Sequence, residues 1–185
     1  MISLEKKNKS ITEYLFYIWH TEDLIRSLNF DLDVIKERVI SGMPGTEEKR
    51  KESEKWFEEK IAEMRSNRLL EKGHVEEAEE IMAELFYLHN VLLNVLQDKE
   101  YIKLFEKAGP NITSLQSKSN NNSINPVEIC LTGFYGVLLL KMQSKGVSDE
   151  TKEAVKTFTE MLNLLSDRYR DMKEGKLDFS KEVNN

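Results

Sequence analysis

Apolar residues recur every three or four positions along most of this sequence, and that spacing predicts helices. Residues 75–97 show it best, with a single stripe formed by Ala78, Met82, Leu85, Phe86, His89, Leu92 and Leu96. An amphipathic helix of about 3.6 residues per turn presents such a stripe to a core. Because the alternation typical of strands is absent from the sequence, we expect an all-α fold, a single-domain bundle of six or seven helices.

Capping residues and helix breakers predict where these helices begin and end. The predicted N-terminal caps are Ser10, Asp31, Thr46, Asp98, Asn125 and Ser148. Gly73 is predicted to end the long charged helix that follows Thr46. Asp98 is predicted to cap a short helix that Gly109-Pro110 closes.

Three segments of the single domain, residues 1–185, differ in composition from the rest. Residues 110–125 are rich in serine and asparagine, which predicts a flexible loop. Residues 126–145 are apolar nearly all round, which predicts a central, buried helix. Residues 175–185 follow the last helical pattern and are expected to form a frayed tail.

The charge balance and the single cysteine limit the classes of partner and compartment. With 27 basic and 33 acidic residues the net charge is −6, which disfavours binding to nucleic acid or to an anionic membrane. Cys130 has no second cysteine to pair with, so a reducing compartment is expected. The N-terminal residues have no signal-peptide core, and no apolar run approaches the roughly 20 residues that span a bilayer. These features predict a cytoplasmic protein.

Polar residues interrupt three of the apolar helix faces. Glu22 lies among isoleucines, with Arg26 one turn later as a favourable i,i+4 partner. His89 lies near the centre of its stripe, and Glu128 shares a helix face with Tyr135. Burying such groups unpaired costs several kcal/mol by rough transfer estimates, so we expect them to pair with one another or with a ligand.

The predicted polar cluster has three possible interpretations. Its members are Glu22, Arg26, His89, Glu128 and Tyr135. The first is a structural network that fixes which helices are neighbours. The second is a small-molecule or anion site anchored by Arg26. The third is a metal site formed by Glu22, His89 and Glu128, which the nearby Arg26 cation opposes.

The sequence contains no motif of catalysis or of cofactor binding. A Ser/His/Asp order, a glycine-rich phosphate loop and a Cys-x-x-Cys pair are all absent, so no cofactor is expected. Glu71-Lys72-Gly73-His74 resembles one half of a di-iron motif but spans a predicted helix break. The sequence therefore favours a non-enzymatic binding or interaction protein, with a homodimer as one form. The alternative is a small-molecule-binding or metal-dependent enzyme that uses the same polar cluster.

Several segments resemble an uncharacterised bacterial, all-helical family of about this length, a domain of unknown function. The matching segments are Tyr14-Leu15-Phe16-Tyr17-Ile18-Trp19, Glu22-Asp23-Leu24-Ile25-Arg26, Gly73-His74, Leu88-His89-Asn90 with Leu92-Leu93, Glu128 with Cys130, Tyr135-Gly136-Val137-Leu138-Leu139-Leu140-Lys141, and Ser148-Asp149-Glu150-Thr151. The resemblance implies the same helical fold and a bacterial origin, and it implies no activity. Its motif positions include Glu22, Arg26, His89 and Glu128.

Overall fold

The computed structural model describes residues 10–118 and 125–177. Those residues contain seven α-helices and no strand: α1 Ile11–Ser27, α2 Leu32–Arg38, α3 Glu47–Ser66, α4 Glu76–Asn90, α5 Lys99–Lys118, α6 Pro126–Met142 and α7 Asp149–Lys173. A 3-10 turn, Ile40–Gly42, follows α2, and a π-helical turn, Val91–Val95, follows α4. The predicted all-α bundle is confirmed. Within the same residues, no helix combines the length and the apolar character needed to cross a bilayer.

Two compact units make up this fold. Residues 15–80 form one, here called the N-terminal unit. The described residues from 81 to 177, together with residues 10–14, form the other, here called the C-terminal unit. Helices α1 and α4 therefore contribute residues to both units.

In the N-terminal unit, α3 ends earlier than predicted. Its last residue is Ser66, whereas Gly73 was expected to end it. The N–H of Leu69 donates to the carbonyl of Met64, and the N–H of Arg68 donates to that of Arg65. This is a Schellman ending, in which the residue after the cap adopts a left-handed conformation. Arg68 takes that place at φ 58°, where glycine is the usual residue, so no helix-stop residue marks this end in the sequence.

In the C-terminal unit, α5 runs through Pro110 to Lys118, so the prediction of a short helix closed by Gly109-Pro110 is wrong. A proline inside a helix costs about 3 kcal/mol. Packing of α5 against α7, with Ala108 and Ile112 buried on either side of Pro110, acts against that cost. Two polar contacts add to this packing: the Lys107 ammonium donates to Glu160 at 2.6 Å, and the Asn111 amide donates to the Thr157 hydroxyl at 3.1 Å.

The predicted flexible segments are only partly covered by the described residues. Residues 110–118 of the expected loop are helical, Asn125 caps α6 through the N–H groups of Val127 and Glu128, and residues 119–124 lie outside the described residues. Of the expected frayed tail, Gly175 belongs to the turn that ends α7, and the N–H of Lys176 donates to the carbonyl of Asp171. Residues 178–185 lie outside the described residues.

Helix α6 packs against both α5 and α7, as expected for a central helix. It ends at Met142 and not at Lys145. Its buried side chains are Val127, Ile129, Cys130, Leu131, Tyr135 and Val137. Toward its C-terminal end, Leu140 is 37% exposed and Met142 is 57% exposed. One apolar face of this helix packs in the core, and another apolar face stays open.

Two glycines three residues apart in α6 have opposite surroundings. A Cβ atom on Gly133 would lie 2.6 Å from Leu115 Cδ2 and 3.1 Å from Phe158 Cε2. A Cβ atom on Gly136 would have no other side chain or packed backbone within 4 Å. Gly133 therefore permits the close approach of α5 and α7 to α6, whereas Gly136 leaves open space.

The two alanine substitutions should separate these roles. Replacing a helical glycine with alanine stabilises the helix by roughly 0.5–1 kcal/mol, and this gain applies to both variants. We expect Gly136→Ala to be more stable than wild type by that amount. Gly133→Ala should be less stable than Gly136→Ala by about 1–3 kcal/mol, because its methyl group overlaps Leu115 Cδ2 and crowds the buried Phe158 ring. Urea unfolding measures both, and equal stabilities would contradict the assigned packing.

Candidate functional site

An open groove of about 390 Å³ lies over α6, between α5 and α7. We call it the α6 groove. Its lining residues are Asn111, Ser114, Leu115, Lys118, Ile129, Thr132, Gly133, Gly136, Val137, Leu140, Glu150, Thr151, Ala154, Val155 and Phe158. The α6 members follow helical spacing along one face, and Gly136 keeps that face open. The volume lies in the range of small-molecule sites, roughly 300–1,000 Å³.

The polar groups of the α6 groove are few and mostly uncharged. Three hydroxyl-bearing residues line it, Ser114, Thr132 and Thr151. The Thr151 hydroxyl pairs with Ser148, whereas Ser114 and Thr132 hydrogen-bond no other described residue through their side chains. The two charged lining residues, Lys118 and Glu150, are 68% and 86% exposed and face each other at 3.9 Å. The groove thus offers an apolar surface, the hydroxyls of Ser114 and Thr132, the already paired side chains of Asn111 and Thr151, and a neutralised, exposed ion pair.

Glu22 of α1 is buried in the N-terminal unit at 2% exposure. Its Oε1 accepts the N–H of Val75 at 2.7 Å, and its Oε2 lies 2.6 Å from Nδ1 of His74. Val75 directly precedes α4, where backbone N–H groups have no helical acceptor. The carboxylate therefore fixes the start of α4 against α1.

Arg26, one turn later in α1, donates hydrogen bonds to carbonyl groups of the segment that connects α3 to α4. Its Nε donates to the carbonyl of Leu69 at 3.2 Å, and its Nη2 donates to the carbonyl of Gly73. Its Nη1 pairs with Asp23 at 3.2 Å. The predicted Glu22–Arg26 pair is therefore wrong. The connection between α3 and α4 provides closer partners for both side chains.

His74 is the member of this site that sequence reasoning missed. Its ring stacks on Trp19, with centroids 4.8 Å apart and planes 19° apart, and its side chain is 30% exposed. In the sequence, His74 stands out only within Glu71-Lys72-Gly73-His74, which spans a predicted helix break. The available signal was its position beside Val75, at the unpaired N-terminus of a helix, where a buried acid is favoured.

The other predicted cluster members belong to the C-terminal unit. His89 is 3% exposed, and its Nδ1 lies 2.7 Å from Oη of Tyr101. Glu128 is half-buried in the first turn of α6, and Tyr135 is buried at 9% exposure. The partners shown for Glu22 and for His89 lie within their own units, so one cluster of all five residues stays a prediction.

Burial governs the chemistry of the His89–Tyr101 pair. It lowers the pKa of His89 to about 4. Burial, together with the nearby Cys130, raises the pKa of Tyr101, and burial also raises the pKa of the Cys130 thiol. All three groups are therefore neutral near pH 7, which suits a structural role in the core.

Asp98 ties the start of α5 to α7. Its Oδ1 accepts the N–H groups of Glu100 and Tyr101, and its Oδ2 accepts Nε–H of Arg168 at 2.7 Å. Burial acts to raise the pKa of the Asp98 carboxyl, but these hydrogen bonds outweigh it and hold the pKa below its usual value.

Within residues 10–118 and 125–177, no three His, Cys, Asp or Glu side chains are grouped as metal ligands.

Removing the Glu22 carboxylate should destabilise the protein. We expect Glu22→Ala to lower the free energy of unfolding by roughly 1–3 kcal/mol, because the buried N–H of Val75 loses its acceptor. Asp23→Ala is the matched control, since Asp23 makes an ion pair at 46% side-chain exposure. Its cost should be about 0.5 kcal/mol or less. Denaturant unfolding of the two variants tests this, and equal losses would contradict it.

Acid should weaken the fold through His89. Unfolded histidine has a pKa near 6.5, so between about pH 6.5 and 4 the unfolded state binds a proton that the folded state does not. Stability therefore falls as pH falls through this window, by an amount on the order of 3 kcal/mol from this group. His89→Gln should show a smaller loss than wild type. Equal pH profiles for the two proteins, by denaturant unfolding, would contradict it.

Comparison with known proteins identifies the family. Residues 1–176 match the domain of unknown function DUF4924. No curated protein and no solved structure matches the chain. The match spans the N-terminal unit and the α6 groove alike. The resemblance noted in the sequence is confirmed at the level of the family, and the chain belongs to the DUF4924 family of domains of unknown function.

Proposed function

We propose that this protein is a non-enzymatic binding protein whose ligand is a small, mainly apolar and uncharged molecule held in the α6 groove. The α6 groove itself carries this proposal. It is concave, has a volume suited to such a molecule, and is lined mainly by apolar side chains with a few hydroxyls. An apolar surface left open in a protein with 32% charged residues is typical of a binding site.

The distribution of exposed apolar side chains favours a small ligand over a protein partner. Among the described residues, the large exposed hydrophobic side chains are Leu70, Phe86, Tyr87, Val95, Leu140 and Met142. Of these only Leu140 lines the α6 groove. A stable protein interface needs roughly 800 Å² from each partner. The apolar lining of the α6 groove falls well short of that area, so it suits a small ligand better than a protein partner.

The charges around the α6 groove favour an uncharged ligand. Lys118 and Glu150 face each other at its rim, so neither sign of charge dominates there. The hydroxyls of Ser114 and Thr132 offer neutral hydrogen bonds to a carbonyl or hydroxyl group. A charged group would lose hydration in this groove without gaining a dedicated counter-ion, which costs binding free energy.

The polar cluster predicted from sequence does not line the α6 groove. Its members have structural or undetermined roles, and the groove offers no titratable group besides the exposed Lys118 and Glu150. This supports binding over catalysis at the groove. A homodimer and a cytoplasmic location stay predictions, and the free, buried Cys130 supports a reducing compartment.

Filling the groove floor should weaken binding. The probe is N-phenyl-1-naphthylamine, a neutral apolar fluorophore whose emission rises on binding. Gly136→Trp places an indole in the open space above Gly136, and we expect affinity to fall about tenfold or more, which corresponds to at least about 1.4 kcal/mol. Fluorescence titration of the full chain provides the measurement.

The matched control is Gly109→Trp. Gly109 is also a helical glycine with open space around its Cβ position, and it lies outside the groove lining. This variant should bind the probe as wild type does. Equal binding by Gly136→Trp and wild type would refute the proposed site, and so would a wild-type protein that leaves the probe unbound.

A further inference from the structure

The three histidines of this sequence occupy three different environments. His89 is buried against Tyr101. His20 has a buried Nδ1 atom without a hydrogen-bond partner. His74 alone combines a hydrogen bond to a carboxylate with partial exposure, at 2.6 Å from Glu22 and with 30% of its side chain exposed. This combination separates His74 chemically from the other two.

Glu22 fixes the position of the proton on His74. An ionised carboxylate only accepts hydrogen bonds, so the Nδ1 atom of His74, 2.6 Å from Oε2, must carry the proton. In a neutral imidazole the other nitrogen, Nε2, then holds a free lone pair. The second carboxylate oxygen accepts the Val75 N–H at 2.7 Å, which keeps Glu22 from turning away.

The lone pair on Nε2 reaches solvent. No described residue hydrogen-bonds this atom, and it is not among the buried polar atoms that lack a partner. Trp19 stacks on the ring at 4.8 Å between centroids and so restricts its rotation. The ring is therefore held by its Nδ1 edge and by one face, while Nε2 stays accessible.

We propose that His74 is a nucleophilic modification site whose Nε2 atom accepts an acyl group from activated acyl donors such as aryl esters. Nε2 attacks the carbonyl carbon and forms the N–C bond. The C–O bond to the leaving group breaks, and the leaving group departs with the electron pair. The resulting acylimidazolium carries its positive charge beside the Glu22 carboxylate, which stabilises it until the Nδ1 proton is lost to solvent.

This inference is independent of the proposed function. It concerns one covalent transfer in the N-terminal unit, whereas the α6 groove lies in the C-terminal unit. It also gives Glu22 a second role: the carboxylate positions His74 as well as pairing with the start of α4. Glu22 is thus a positioning residue, and His74 is the group that reacts.

The test uses p-nitrophenyl acetate on the full chain. Wild type should release a burst of p-nitrophenolate, with a matching acetyl adduct on His74 that hydroxylamine removes. His74→Gln should lose this burst, and His20→Gln should keep it. A burst that survives in His74→Gln, or an adduct confined to lysines, would overturn the proposal.

Glu22→Gln tests the positioning role. A glutamine that turns its oxygen to Val75 presents its amide N–H₂ to His74, which forces the proton onto Nε2. The burst rate should then fall about a hundredfold, within the range of general-base effects. ¹⁵N NMR of the imidazoles provides a readout that does not depend on any variant. Wild-type His74 should show its proton on Nδ1, and a proton on Nε2 would overturn the proposal.

Discussion

The need to pair one buried carboxylate organises the N-terminal unit. Glu22 is 2% exposed, and an unpaired charge at that depth would cost several kcal/mol. Its partners, His74 and the N–H of Val75, lie more than fifty residues further along the chain. Satisfying this one group therefore requires the segment between α3 and α4 to lie against α1. A local charge becomes a long-range constraint on the path of the chain.

Arg26 holds the same segment through hydrogen bonds of the opposite direction, because it donates where Glu22 accepts. The carboxylate of Glu22 takes a backbone donor, and the guanidinium of Arg26 takes two backbone acceptors, from Leu69 and Gly73. One turn of α1 thus satisfies both kinds of polar group in a segment that has no helical hydrogen bonds of its own. These contacts, with the stacking of Trp19 on the imidazole, hold His74 in a defined position within a connecting segment.

The sequence predicted the helices well because capping residues and apolar stripes act locally. Asp31, Thr46, Asn125 and Ser148 each accept N–H groups at the predicted helix starts. The errors arose where tertiary contacts outweigh local preference. Pro110 lies inside α5, where the flanking Ala108 and Ile112 are buried and the helix packs along α7. Arg68 ends α3 in a conformation usually reserved for glycine.

The candidate sites were less predictable than the fold. Glu22 was correctly singled out as a polar residue on an apolar face that needs a partner, but helix geometry favoured Arg26 over the distant His74. In the sequence, the α6 groove is indicated only indirectly, by an apolar helix with glycines at positions 133 and 136. Periodicity identifies which faces are apolar, but it does not show which of them another helix covers.

The positions of the two tryptophans allow the N-terminal unit to be observed separately by fluorescence. Its two tryptophans, Trp19 and Trp56, both belong to the N-terminal unit, so tryptophan emission follows the unfolding of residues 15–80. Circular dichroism follows helices in both units. The sequence thus contains its own separate reporter for one unit. Coincidence of the two signals along a denaturation curve would measure how strongly the units unfold together.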